Sequence, residues 1–148
     1  GINFLLSAFV LVWVADVAAY FAGRAFGQRI ARVRLAPAIS PGKSWEGVWG
    51  GMLAVLAVGA AWIQADRAGW TGGGSLFTRL ADHGLPVLIA GLLFLAAMSV
   101  VGDLVESLVK RSAGMKDSSG LLPGHGGVLD RVDALLPALP LGMMLALL

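Results

Sequence analysis

The chain has 148 residues, no cysteine and a net charge of +2; 57% of its residues are hydrophobic and only 14% are charged. Soluble domains are nearer half apolar and a quarter charged, so this composition excludes an ordinary water-soluble globule. The missing cysteines exclude a disulfide framework, a thiolate metal site and a thiol nucleophile. No readable RNA or DNA module is present, so no nucleic-acid partner is expected.

Taken in order, four apolar runs predict helices over about 2–23, 47–64, 84–111 and 132–148. Together they predict an all-α fold, a polytopic transmembrane helical bundle. The first run, Ile2 to Ala22, is apolar except for Asn3 and Asp16, and about 20 residues cross a bilayer. The second is short and is extended by Trp45 and Trp49, which suit the membrane interface. The third, Gly84 to Gly102, carries no charge. The fourth holds Pro137 and Pro140 in its first turns, where a missing N–H is tolerated. No order of charged, apolar and cleavage regions marks a signal peptide. The expectation is a piece of a larger membrane protein.

The cations set the orientation. Arg24, Arg29, Arg32, Arg34 and Lys43 lie between the first two helices, and Lys110, Arg111, Lys116 and Arg131 follow the third. Two spans separate these loops, so nine of the eleven Lys and Arg residues share one side. The positive-inside rule places that side in the cytoplasm, as expected of a bacterial inner-membrane protein.

Asp16, Tyr20 and Gly23 fall on one face of the first helix. A carboxylate within a span faces a polar cavity or a partner, because lipid exposure costs about 2.5–3.5 kcal/mol near the centre. A structural ion pair or a helix–helix hydrogen bond is the alternative. Before the second helix, Ser44 can cap and Glu46 suits the positive N-terminus. Asp103, Glu106, Ser107 and Lys110 form one polar face on the extension of the third helix, which would also suit an amphipathic interfacial helix. The stretch from Asp103 to Asp133 interleaves acids and bases with Pro123, Gly124, His125, Gly126 and Gly127. Glycines let backbone N–H groups approach a ligand closely, and cations beside carboxylates suit a metal–phosphate group. Asp130 and Asp133 could equally cap the fourth helix. His125 is a loop residue, a phosphate donor or a proton carrier.

Ser107-x-x-Lys110-Arg111, Lys116-Asp117 and His125-Gly126-Gly127-x-x-Asp130-Arg131-x-Asp133 resemble the signature of the phosphatidate cytidylyltransferase (CDP-diacylglycerol synthase) family. Asp16, Ala19, Tyr20, Gly23, Arg24 and Gly27 match a second family pattern. Ser40 to Gly47 is similar to a third, with Gly42 standing where the family has a lysine and Lys43 as the remaining cation. The resemblance implies that the chain is the C-terminal membrane catalytic region of a longer protein with further helices before it, that its cytoplasmic loop is catalytic, and that the reaction transfers CMP from CTP to phosphatidic acid, giving CDP-diacylglycerol and pyrophosphate. It implies Mg²⁺ on Asp103 and Asp130 with Asp133 in support, and a second, monovalent cation such as K⁺ is compatible. Asp103, Asp130, Lys110 and His125 are the expected catalytic residues. Lys43, Ser44, Ser107, Arg111, Lys116, Gly126, Gly127, Arg131 and Asp16 are expected to bind substrate and phosphates. The expected partners are CTP, phosphatidic acid and the bilayer. The small residues of the first helix permit close packing within a protomer or in a homodimer. Two alternatives are a related CTP-dependent lipid kinase or cytidylyltransferase acting on a polyprenol or archaeal lipid, and an ion-transport subunit using Asp16, Asp103 and Asp130.

Overall fold

The structure is a computed structural model that describes residues 1–27, 29, 34–114 and 132–147. Three helices are long and apolar enough to cross a membrane: α1 (Ile2–Phe26), α2 (Trp45–Arg67) and α4 (Leu85–Ser112). At 1.5 Å per residue each exceeds the roughly 30 Å of hydrocarbon. The chain is an integral membrane protein. Large apolar side chains point outward along these helices, among them Phe9, Trp13, Val17 and Phe21 on α1. Outward Trp45 and Trp49 mark one end of α2 and Trp70 lies just beyond the other, as interfacial aromatics do.

α1 and α2 form the most extensive contact in the molecule, and α4 lies against α2 and against α5 (Leu135–Leu145). The α1–α2 seam is close because α2 presents glycine to it. A Cβ on Gly47 would stand 2.7 Å from the Ala19 carbonyl oxygen, and one on Gly51 2.7 Å from that of Ala15. Only glycine lets the two backbones meet at that separation.

Two elements depart from the four-helix expectation. The first is α3 (Leu76–Asp82), a two-turn helix in the Gly-rich connection between α2 and α4. Ser75 caps it by accepting from the Thr78 N–H at 3.2 Å, and Leu76, Phe77 and Leu80 are fully buried. They close one end of the bundle core with Leu11, Val55, Leu92 and Leu95. The second is an antiparallel hairpin, β1 (Arg34–Ala36) and β2 (Ser40–Ser44), which pairs Arg34 with Ser44 and Ala36 with Ser40. Read as a turn and cap, Ser40–Ser44 is a strand that runs directly into α2. Pro41, which cannot donate a ladder bond, is tolerated because both strands of a two-stranded sheet are edges. In α5, Pro140 lies inside the helix rather than in its first turn, where it removes one backbone donor.

Candidate functional site

Three spans and the hairpin bring charged residues to the end of the bundle opposite α3. Ser44 is the N-cap of α2 and accepts from the Gly47 N–H at 3.2 Å, which fixes the direction in which the chain leaves β2. Lys43, one residue earlier, pairs through Nζ with Oδ2 of Asp103 on α4. Asp16 on α1 and Asp133 just ahead of α5 complete the ring. The cavity they enclose measures about 250 Å³, and Tyr20, Gly47 and Val100 also line it. Among the described residues its wall carries three carboxyl groups and one ammonium group.

One helical turn along α4 from Asp103 the imbalance continues. Both carboxyl oxygens of Glu106 are buried without a hydrogen-bond donor among the described residues. Lys110 stands at ion-pair distance, 3.5 Å from Oε1, as the i,i+4 spacing allows. The carboxyl group of Asp133 faces Glu106 and Asp103, while its Oδ1 accepts from the Ala134 N–H at 2.7 Å. Burial, with those two carboxyl groups in reach, pushes Asp133 up to about 8. Facing carboxylates need a shared proton or a cation between them.

Among the described residues no three His, Asp or Glu side chains are arranged to hold a metal ion by themselves. The donor chemistry nevertheless fits a hard divalent cation. All the groups are oxygen donors, they outnumber the cations at the cavity, and the buried Glu106 carboxyl has Lys110 at ion-pair distance but no hydrogen bond among the described residues.

The sequence model of the cytidylyltransferase family matches residues 1–148, the whole chain. The chain belongs to the cytidylyltransferase family. A phosphatidate cytidylyltransferase of Haemophilus influenzae is 47% identical over 140 residues, covering 95% of this chain and 44% of that protein. One of Pseudomonas aeruginosa is 50% identical over 136 residues, covering 92% and 44%. One of Brucella suis is 46% identical over 140 residues, covering 93% and 44%. The chain thus spans about 44% of the length of these relatives.

In this member of the family the structure gathers Asp16, Lys43, Ser44, Asp103 and Asp133, the expected residues that line the cavity. Lys110 lies about two turns along α4 from Asp103, against Glu106. Ser107 is half-buried and Arg111 exposed on α4, and neither lines the cavity. Lys116, His125, Gly126, Gly127, Asp130 and Arg131 lie outside the described residues. Arg24 donates to the Tyr20 hydroxyl at 3.2 Å, so the matched arginine of α1 orients the tyrosine that lines the cavity. Glu106 was visible in the sequence only as a member of a polar helix face. Its signal was position: i+3 from Asp103 and i−4 from Lys110, on the side that α5 covers.

A second polar centre, at the α3 end, has no motif behind it. Asp66 Oδ1 accepts from Asn3 Nδ2 at 3.1 Å and from the Thr71 hydroxyl; Oδ2 accepts from the Ser75 N–H at 3.1 Å and from the Thr78 hydroxyl. Trp62 Nε1 donates to Asn3 Oδ1 at 3.2 Å, and Ser7 Oγ accepts from the Leu76 N–H at 2.9 Å. These bonds fasten α1, α2 and α3 together.

Proposed function

We propose that the protein of which this chain is part is a phosphatidate cytidylyltransferase, converting CTP and phosphatidic acid to CDP-diacylglycerol and pyrophosphate. The observation that carries the reading is the convergence of Asp16 on α1, Asp103 on α4, Lys43 on the hairpin and Asp133 just ahead of α5 at one end of a membrane bundle. Family membership and the names of the relatives support the same chemistry. In the proposed reaction an ionised phosphate oxygen of the lipid forms a bond to the α-phosphorus of CTP, and the bond to the β-phosphate oxygen breaks to release pyrophosphate. The nucleophile is already an anion near neutral pH, so no strong general base is required. The main barrier is crowding of negative charge.

Asp103 and Asp130 would hold Mg²⁺, with Asp133 and Glu106 beside them. The ion, when bound, supplies charge neutralisation to the phosphates. Lys43 and Lys110, held by Asp103 and Glu106 in this structure, are positioned to exchange those carboxylates for phosphate oxygens. Arg111 at the end of α4, with Lys116 and Arg131, would add cations for the phosphates, and His125 with Gly126 and Gly127 would line the triphosphate. The lipid would enter from the cytoplasmic leaflet of the inner membrane and CTP from water, which a site at the bundle end permits.

The test is incorporation of radiolabelled CTP into lipid by the complete protein, with phosphatidic acid as acceptor and Mg²⁺ added back after chelation. Lipid- and Mg²⁺-dependent incorporation that falls about a thousandfold in Asp103→Asn, with the protein still folded, is the expected outcome. Full activity after chelation, or in Asp103→Asn, would overturn the metal assignment.

A further inference from the structure

Resting on the proposed cytidylyl transfer, we infer that Gly102 is a positioning residue, whose missing side chain lets Asp133 reach the carboxylates of α4. Gly102 precedes Asp103 and sits four residues before Glu106, so Gly102 and Glu106 share the face of α4 that α5 covers. A Cβ built on Gly102 would lie 2.7 Å from Pro137 Cγ, 2.9 Å from Pro137 Cδ and 2.9 Å from the Asp133 carbonyl oxygen. Ordinary contact begins near 3.4 Å, so a methyl group there pushes the segment from Asp133 to Pro137 away by several tenths of an ångström.

That segment has little freedom to absorb the push. Pro137 is a rigid ring, and the Asp133 carbonyl already accepts from the Leu136 N–H at 3.3 Å at the start of α5. Asp133 Oδ1 is tied to the Ala134 N–H. The backbone and the carboxyl group of Asp133 therefore move together, away from Asp103 and Glu106. Gly91 offers a matched comparison. It lies on the same helix at the other end of the α4–α5 seam, where a Cβ would meet Leu80 Cδ1 at 3.2 Å and Leu145 Cδ1 at 3.8 Å, and it does not line the cavity. Flexible leucine tips can yield where a proline ring and a carbonyl cannot.

The experiment measures turnover and the Mg²⁺ concentration for half-maximal rate in the complete protein, in mixed lipid–detergent micelles. Gly102→Ala is expected to lower turnover roughly ten- to a hundredfold, as a sub-ångström misplacement of reacting groups does. It is also expected to raise the Mg²⁺ requirement about tenfold. Pro137→Ala in the same chain removes two of the three close contacts and should recover most of both losses, whereas Gly91→Ala should change neither. Loss of folded protein alone would lower the rate at an unchanged Mg²⁺ requirement, and that result would overturn the inference, as would equal effects from Gly91→Ala. If Gly102→Ala does not fold, the Gly102→Ala/Pro137→Ala pair measured against Pro137→Ala alone makes the same comparison. A wild-type enzyme indifferent to Mg²⁺ would remove the metal reading instead; the turnover loss and its recovery by Pro137→Ala would still decide the role of Gly102.

Discussion

The two ends of the bundle each hold a polar centre built on aspartate, and they are opposites. At the α3 end, Asp66 accepts four hydrogen bonds from Asn3, Thr71, Ser75 and Thr78, all from neutral donors. At the other end, Asp16, Asp103, Glu106 and Asp133 approach one another with Lys43 and Lys110 nearby, and Glu106 has no hydrogen-bond donor among the described residues. A carboxylate whose lone pairs are all used is a rivet. Carboxylates left short of donors are held there by the rest of the fold, and they are the groups to which the proposed function assigns the binding of a cation. Satisfaction, rather than the presence of buried acid, separates architecture from chemistry in this molecule.

That contrast can be broken by swapping charge for amide at each end. Glu106→Gln should lower turnover about ten- to a hundredfold, the scale of losing a group that supports a metal site. Its thermal midpoint in detergent should not fall, because an amide can donate to Asp133 where the carboxylate could not. A midpoint that drops with the rate would make Glu106 another rivet. Asp66→Asn should do the reverse: stability falls by about 1–3 kcal/mol as charge-assisted bonds weaken. Its rate per folded molecule should stay at the wild-type value when folded fraction and initial rate are measured on the same sample. A catalytic defect in folded Asp66→Asn would undo the division between the ends. The smallest effect is expected of Ser44→Ala, which removes the cap of α2 at a cost of about 1 kcal/mol. Because Lys43 is its neighbour, the Michaelis constant for CTP should rise with little change in turnover; a change in turnover alone would count against Lys43 as a phosphate ligand.

Much of this arrangement was readable from the chain. Uninterrupted apolar length announced α1, α2 and α4, and counting spans between the cationic loops placed Lys43 and Asp103 at one end, where they pair. The small elements were hidden for physical reasons. α3 is two turns long behind a run of glycines, and what identifies it is the cap at Ser75 together with burial of Leu76, Phe77 and Leu80, which depends on the other helices. β2 is Ser-Pro-Gly-Lys-Ser, a string of turn formers that is extended because β1 pairs with it. The difference between Asp66 and Glu106 could not be seen at all along the chain. Both are acids near a helix end, and only their partners across the fold, Asn3 and Ser75 for one and Asp133 for the other, distinguish them.

One helix ties these ends to each other. α2 starts two residues after Lys43 and carries Asp66 next to its last residue, so a rod roughly 34 Å long joins the lysine to the rivet. The backbone that carries Lys43 is therefore anchored at the far end of the bundle as well as beside the cavity. The bonds that Asn3, Thr71, Ser75 and Thr78 make to a single carboxylate, together with the glycine seam against α1, hold the rod on which the lysine is mounted.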